Sequence, residues 1–253
     1  MNCLGSILAV NKIRMKYRQH LHQVAFVCST LTSLYAPDSF SAPVVQATVG
    51  AESSKFVDGV DITDGKPTIN LAVDVSFNNG SFAGADCYKA QTLLFQDGID
   101  AGCNYYIGYF QPLKKNQAFS AVLSRSEYAP TPARQWDYTA AALSWHASRS
   151  AILTVTATDD WFGRGYSSVG IGAAYQYSLS DHWSATFEAS HIDFASNAPV
   201  NNINHARLGL LFEKGRWATE LNLQLNDGDR DQLISIDPDQ QAALSFRVNY
   251  RFY

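Results

Sequence analysis

The sequence AALSFRVNYRF, residues 242–252, decides the fold of this chain. Every second residue in it is large and apolar: Leu244, Phe246, Val248, Tyr250 and Phe252. The residues between them are small or polar, and they include Arg247 and Arg251. Because successive side chains of a β-strand point to opposite faces, this period of two predicts a strand with one apolar face and one aqueous face.

The same alternation recurs along the chain after residue 43. It is clear in TINLAVDVSF (68–77), SVGIGAAYQYSL (168–179) and WATELNLQLN (217–226). We identify twelve such segments, near residues 44–56, 67–77, 81–88, 98–110, 117–128, 136–146, 150–159, 166–178, 182–192, 203–213, 216–226 and 241–252. Most approach the roughly 9–11 residues that a tilted strand needs to cross a bilayer, whereas strands of soluble proteins average about 5–6 residues.

Short and long connections alternate between these segments. NNG (78–80), SLSD (178–181) and KG (214–215) are short, whereas VDGVDITDGK (57–66) and DFASNAPVNNI (193–203) are long. An even number of strands joined in this way is typical of an outer-membrane barrel, and closure of the barrel pairs every backbone group in lipid. We therefore predict an all-β fold over residues 43–253: a transmembrane antiparallel up-and-down β-barrel of twelve strands, with lipid outside and water inside.

The overall composition argues against other classes of protein. The 253 residues contain no run of about 18 apolar residues, so they predict no helical membrane span. The formal net charge of −4 argues against a nucleic-acid partner. A soluble lipocalin-like binder would hold its ligand inside eight strands, and twelve long strands with apolar outer faces argue against that alternative.

Residues 1–42 have the layout of a secretory signal peptide. From Met15, the basic stretch MKYRQHLHQ precedes the mostly apolar VAFVCSTLTSLYA, and PDSFSAP follows. Met15 is a better start for this layout than Met1, because residues 1–14 add an extra stretch before the basic region. The alternative is a short buried N-terminal helix. We predict export, with the leader removed.

Cys87 and Cys103 are the cysteines that remain once this leader is removed. They lie on consecutive predicted strands, equally far from the loop centre near Phe95, and both are in phase with lipid-facing residues. Directly opposed residues of antiparallel strands have Cβ atoms about 4.5–5.5 Å apart, slightly wider than a disulfide prefers. Because export leads to an oxidising compartment, we predict a disulfide between them. The alternative is two unpaired, lipid-facing thiols.

Charged residues on the aqueous faces are the candidate functional residues. They are Asp74, Asp100, Glu188, Arg207, Glu220, Arg247 and Arg251. One interpretation is a narrow pore whose charges select among small polar solutes. The other is a structural or adhesive barrel whose lumen is plugged by interior salt bridges.

Two further groups of residues suggest chemistry that the rest of the sequence does not support. His146, His182, His191 and His205 accompany many serines, as a lipid hydrolase would require, but no distinctive serine motif is present. Asp227, Asp229 and Asp231 have the spacing that opens a calcium loop. However, Gln232 and Pro238 stand where a glycine and a bidentate glutamate are needed. We predict no enzyme activity, no metal and no cofactor.

Three stretches resemble the TorF-like porin family of proteobacteria. They are SSKFVDGVDITDGKPTINLAVDVSFNNGSFAGADC (53–87), TDDWFGRGYSSVGIGAAYQYSLSDHWSATFEASHIDF (158–194) and SFRVNYRF (245–252), and the likeness extends over residues 44–252. The chain departs from the family at residues 57–59, which read VDG instead of an aromatic-Arg-Gly step, and in carrying Tyr253 beyond the terminal aromatic residue.

The resemblance implies an outer-membrane porin of a Gram-negative bacterium. Such a protein would pass small polar solutes and contact outer-membrane lipids and lipopolysaccharide. The barrel-assembly machinery would recognise its C-terminal strand.

Overall fold

The structure is a computed structural model that describes residues 43–57, 60–63, 65–92, 99–113, 116–129, 136–196, 198, 202–227 and 242–252. The expected leader, residues 1–42, lies outside the described residues. Within the described part, no helix has the length and apolarity to cross a membrane.

Fourteen strands make up nearly all of the described chain. They are β1 (Val44–Glu52), β2 (Phe56–Val57), β3 (Val60–Asp61), β4 (Thr68–Ser76), β5 (Ser81–Thr92), β6 (Ile99–Pro112), β7 (Ala118–Ala129), β8 (Tyr138–His146), β9 (Ala151–Thr158), β10 (Ser168–Ser178), β11 (Trp183–Phe194), β12 (Ile203–Lys214), β13 (Trp217–Asn226) and β14 (Ala242–Phe252). Twelve of them form a closed barrel in the order β1-β14-β13-β12-β11-β10-β9-β8-β7-β6-β5-β4, whereas β2 and β3 pair only with each other. The predicted fold, an antiparallel barrel of twelve strands, is confirmed.

The alternation in the sequence becomes the two faces of the barrel wall. In β7, for example, Ser120, Val122 and Ser124 are buried inside, while Phe119 and Leu123 are exposed outside. The exposed large apolar side chains are too many for a surface that faces water, and they match the outer belt of a membrane barrel. The outside is therefore the lipid-facing side.

The two ends of the barrel differ. Strands joined by 77–80, 113–117, 147–150, 179–182 and 215–216 meet at what we call the short-turn end, and the longer connections lie at the long-loop end. Gly80 and Gly215 have φ angles of 98° and 62°, which tight turns require and which glycine adopts without strain. Exposed aromatic side chains surround the short-turn end: Phe77, Tyr109, Phe119, Trp145, Tyr177, Trp183, Trp217 and Phe252. Amphipathic aromatic rings at that level are typical of a membrane interface.

The first strand is shorter than the sequence predicts. It ends at Glu52, not near residue 56, because Ser53 turns the chain away from the sheet: Ser53 N donates to the Phe246 carbonyl (2.8 Å) and Ser53 Oγ accepts from Phe246 N (3.0 Å). The chain then forms the small hairpin of β2 and β3. There Asp61 Oδ1 accepts hydrogen bonds from the backbone and the hydroxyl of Thr63, both at 2.8 Å. Val57 and Ile62 in this hairpin are almost fully buried, so the predicted outer loop folds into the barrel.

The inner face of β5 and β6 alternates aromatic residues with glycines. The register places Phe82 opposite Gly108, Gly84 opposite Tyr106, and Tyr88 opposite Gly102. In each pair the ring lies over the glycine. A Cβ added to the glycine would collide with the ring or with the tyrosine hydroxyl. Large rings can lie flat on this part of the wall because the opposing residue has no side chain.

The two faces of β4 can be tested with one substitution on each side. Val73 is exposed to lipid near the middle of the strand, whereas Ala72 faces inward opposite Asp86. We expect Val73→Arg to cost about 2–4 kcal/mol of folding free energy, since it places a charge in lipid. Ala72→Arg is the matched control and retains assembly. The folded fraction in unheated gels measures both, and equal behaviour of the two variants would contradict the assigned faces.

Candidate functional site

The lumen contains most of the charged residues that the sequence singles out. Asp74, Glu188, Arg207, Glu220 and Arg251 are buried on the inner wall. The Arg247 side chain also faces inward and retains 25% exposure. Asp100 lies at the start of β6, at the long-loop end, where it is exposed.

A charged network joins the first and last strands of the barrel at the seam where the sheet closes. The guanidinium of Arg247 donates to Glu52 Oε2 through Nε (2.9 Å) and Nη2 (2.6 Å). Lys55 Nζ lies 3.3 Å from Glu52 Oε1 and 3.4 Å from Asp86 Oδ2. Glu52 thus forms ion pairs with Arg247 on the barrel wall and with Lys55 on the segment that enters the lumen after β1.

The network continues along β11, β12 and β13. Arg207 forms an ion pair with Glu188, and its Nη1 lies 4.0 Å from Glu220 Oε1. All three side chains are more than nine-tenths buried. Charges in such a site must be paired, because transfer of a single ion out of water costs several kcal/mol.

Two further polar contacts lie away from this network. Arg251 Nη2 donates to Glu213 Oε1 at 2.7 Å, near the short-turn end. Tyr106 donates its hydroxyl hydrogen to Asp74 by lying across Gly84. The glycine at position 84 therefore allows a β6 side chain to reach a carboxylate on β4 across the intervening strand.

The charged residues of the lumen that sequence reasoning missed include Glu52, Lys55, Asp86 and Glu213. The two-residue period was sufficient to find Glu52, Asp86 and Glu213, because each is in phase with inward-facing neighbours of its strand. Lys55 carried no such signal. A strand continued to residue 56 would place it toward lipid, and it reaches the lumen only because the chain leaves the sheet at Ser53.

The opposite part of the wall is polar, but the inward positions of its strands carry no Asp, Glu, Lys or Arg. The inward positions of β7 to β10 contain hydroxyl groups instead: Ser120, Ser124, Ser126, Ser144, Thr154, Thr156, Thr158 and Ser168. Ser144 and Thr154 share a hydrogen bond of 3.0 Å across β8 and β9. The lumen therefore has a charged half and a hydroxyl-lined half.

Apolar and aromatic residues cluster at the long-loop end of the lumen. We call the following residues the mouth cluster: Val57, Ile62, Tyr88, Tyr128, Trp136, Tyr138, Trp161, Phe162, Tyr166, Ile192 and Ile203. The β2–β3 hairpin and the 159–167 connection supply its centre, and the ends of the barrel strands supply its rim. The sequence did not predict this cluster, because neither segment has a periodic pattern that distinguishes an inward-folded loop from an outer one.

The 159–167 connection places the rings of Trp161 and Phe162 in the mouth cluster. Phe162 has a φ of 48°, a left-handed conformation that costs a non-glycine residue of the order of 1–3 kcal/mol. Packing offsets this cost, since the Phe162 ring lies 6.2 Å from that of Tyr128 and 5.0 Å from that of Tyr138. Asp160 Oδ1 accepts a 2.6 Å hydrogen bond from Gly165 N and fixes the turn.

The histidines have different partners. Ser120 Oγ is 3.1 Å from His146 Nε2, but this pair is buried inside the barrel, away from the lipid face. His205 contacts Gln224 at 3.2 Å. His191 is outside, with Asn204 and Asp193 as its partners, whereas its neighbour Ser190 is on the inner face. Among the described residues, no His, Cys, Asp or Glu cluster could hold a metal ion.

Cys87 and Cys103 are directly opposed on β5 and β6, and a disulfide joins them in the structure. Their Cα atoms are 4.0 Å apart. Both lie on the outer face, in the same phase as Ala85 and Tyr105. Oxidation of this pair in the exported protein stays a prediction.

The apolar exterior, the closed ladder and the polar lumen together define a transmembrane β-barrel. Solved structures with similar folds include the KdgM porin (TM-score 0.53), its complex with disordered oligogalacturonate (0.54) and the NanC porin (0.53). Each is 10% identical, over 83% of this chain and 100% of the other. These similarities support a porin-like barrel fold. No family model matches the chain, and no curated protein matches it either.

Removing one partner of the buried pair of Arg207 and Glu188 should cost far more stability than removing one partner of an exposed pair. We expect Arg207→Met to lower the free energy of unfolding by about 3–5 kcal/mol, because it leaves a buried carboxylate without its partner. The control is Arg125→Met, since Arg125 and Glu127 form an ion pair with both side chains about half exposed. That variant should change stability by less than about 1 kcal/mol. Urea unfolding of refolded protein measures both, and equal losses would contradict the role of burial.

The disulfide is tested on native protein without reductant. We expect the peptides that contain Cys87 and Cys103 to resist alkylation until the protein is reduced, because the two sulfurs are bonded to each other. Mass spectrometry of the digested protein measures the alkylation of these two peptides. Alkylation of both cysteines in unreduced protein would contradict the prediction.

Proposed function

We propose that this protein is an outer-membrane porin through which small polar solutes diffuse passively. The observation that carries the proposal is the polar lumen, which runs through a closed barrel whose outside is apolar. Charged and hydroxyl side chains on the inside are the groups that replace water around a passing solute. The similar folds of the KdgM and NanC porins support the same proposal.

The mouth cluster makes this a gated channel. Trp161 and Phe162 are almost fully buried between the strands that rim the long-loop end. Lys55 holds the entering hairpin by its contacts with Glu52 and Asp86. Conduction therefore requires the β2–β3 hairpin or the 159–167 connection to leave the lumen, while the barrel wall stays in place.

The charges of the lumen favour neutral or cationic solutes. The inward-facing acidic residues of the barrel strands are Glu52, Asp74, Asp86, Asp100, Glu188, Glu213 and Glu220, and the basic ones are Arg207, Arg247 and Arg251. The segment inside the lumen adds Lys55 and Asp61. Among the described residues, eight carboxylates thus face four cations, and the excess of negative charge disfavours anions in a confined path. The oligogalacturonate described with the KdgM porin is therefore not the solute that we propose here.

We further propose the cellular setting of this channel. Residues 1–42 act as the export leader, and residues 43–253 form the barrel in the outer membrane of a Gram-negative bacterium. The short-turn end faces the periplasm and the long-loop end faces outward, as in barrels of this class. The exterior then contacts outer-membrane lipids and lipopolysaccharide, and the β14 strand is the element that the barrel-assembly machinery would recognise. Membership of the TorF-like porin family is part of the same proposal.

A structural or adhesive barrel without conduction is the second candidate. The observation that favours it is the burial of the mouth cluster at the long-loop end, beside the charged network. Catalysis is not proposed, because the Ser120–His146 contact lies inside the barrel and the similar folds are porins.

The two candidates differ in single-channel recordings of refolded protein in planar bilayers. We expect the wild-type barrel to show brief openings, and Trp161→Ala to raise the open probability at least about tenfold, because removal of a large buried ring costs about 3–5 kcal/mol of packing in the closed mouth. Trp217→Ala is the matched control, since Trp217 is exposed on the outside. It should leave the recordings unchanged.

Other outcomes separate the candidates. If neither the wild type nor Trp161→Ala conducts above the bare bilayer, the barrel is structural. If Trp161→Ala and Trp217→Ala raise conduction equally, the mouth cluster is not the gate.

A further inference from the structure

Charged residues are divided unevenly between the two ends of the barrel. Twelve aspartates and five lysines or arginines occur in the long connections, which are 53–67, 93–98, 130–137, 159–167, 195–202 and 227–241. The connections of the short-turn end contain four basic residues, Lys114, Lys115, Arg149 and Arg216, and one acidic residue, Asp181. The short-turn end is therefore the basic end of a chain whose formal net charge is −4.

Two basic residues lie side by side on the outer wall at this end. Lys214 is the last residue of β12, and Arg216 lies in the two-residue turn before β13. Both are exposed, and Lys214 continues the outward phase of Leu210 and Phe212. Within the part of the chain that the structure describes, neither side chain forms an ion pair with a carboxylate. We call Lys214 and Arg216 the basic pair.

Aromatic rings lie next to the basic pair. Trp217 is the register partner of Lys214 on β13, and it is 55% exposed. Its ring lies 4.8 Å from that of Tyr250, which in turn lies 4.8 Å from that of Phe252. Arg216 Nη1 donates to the Tyr250 hydroxyl at 3.4 Å. The basic pair is thus in contact with the belt of rings that surrounds the short-turn end.

The outward side chains change in character along these strands. From the short-turn end toward the middle of the barrel, the basic pair and the rings are followed by aliphatic residues such as Leu210, Leu221 and Val248. A phospholipid has the same order, with a phosphate first, then the ester groups, then the acyl chains. Aromatic rings lie at the headgroup level of a membrane, and basic residues near that level attract anionic lipids.

We propose that the basic pair, together with the rings of Trp217 and Tyr250, binds the headgroup of an anionic phospholipid at the outer wall. The planar guanidinium of Arg216 and the ammonium of Lys214 bind the phosphate oxygens. A zwitterionic headgroup carries an ammonium of its own, which the basic pair repels. The site rests on the membrane location proposed above, but it does not depend on conduction, because neither basic residue lines the lumen.

Native mass spectrometry of refolded barrel in detergent tests the site. The protein is titrated with phosphatidylglycerol or with phosphatidylcholine of the same acyl chains. At low salt we expect the first phosphatidylglycerol to bind about 3–10-fold more tightly than phosphatidylcholine, because two cations favour the anionic headgroup. The double variant Lys214→Gln with Arg216→Gln should bind the two lipids equally. Equal binding of both lipids by the wild type would overturn the proposal.

The double variant Lys89→Gln with Arg125→Gln is the matched control. It also removes one lysine and one arginine from the outer wall, but at the long-loop end, where both residues are exposed. This variant should retain the preference for phosphatidylglycerol. If both double variants lose it equally, the preference reflects net charge alone and the proposed site is wrong.

Inorganic phosphate distinguishes a lipid site from a site for free phosphate. We expect it to weaken phosphatidylglycerol binding no more than KCl of the same ionic strength does, since free phosphate makes no contact through acyl chains. Displacement beyond the effect of KCl would identify free phosphate as the ligand and would contradict the proposal. Single-channel recordings of the Lys214→Gln, Arg216→Gln variant should match the wild type, so the porin function is judged separately.

Discussion

Backbone hydrogen bonding without water is the constraint on which the rest of this structure depends. In lipid, each unpaired N–H or C=O group costs several kcal/mol, so a sheet that crosses a bilayer has to close on itself. Here the closure joins β1 to β14, the first and last strands of the barrel. The Glu52–Arg247 ion pair lies on this seam, where the register places the two residues opposite each other. The largest charge network of the lumen is therefore attached to the point where the sheet closes.

Closure also explains why the period of two predicted the fold so well. Each barrel strand has lipid on one side and the lumen on the other, so its side chains have to alternate, and segments such as TINLAVDVSF carry this signal at nearly every position. The same phase places Asp74, Glu188 and Arg207 inside. The signal ends where the chain leaves the sheet. After Ser53 the environment of a residue is set by tertiary packing, and this is why Lys55, Ile62 and Trp161 could not be placed from the sequence.

Charged and hydroxyl side chains occupy different parts of the lumen wall. Ion pairs follow β11 to β14, β1 and β5. Some connect neighbouring strands, as Arg207 with Glu188 does, whereas Arg251 on β14 reaches Glu213 on β12 across β13. The wall from β7 to β10 has short hydroxyl side chains in their place. A salt bridge between adjacent strands pairs its charges without spanning the lumen, so the network stiffens one half of the wall. In the proposed gating, the loops that enter at the long-loop end, and not the ion pairs, form the closure that moves.

The alternation of rings and glycines on β5 and β6 has a consequence for sequence divergence. Gly84 and Tyr106 share one volume, as do Gly102 with Tyr88 and Gly108 with Phe82. A side chain gained at a glycine is compatible with this wall only if the opposing ring is lost, and a lost ring leaves space that the glycine position can fill. The two members of each pair should therefore covary among related barrels, so that total side-chain volume across the pair is conserved while the identity of either residue is not. Asp74 would follow the Gly84–Tyr106 pair, because its partner Tyr106 reaches it only across a glycine.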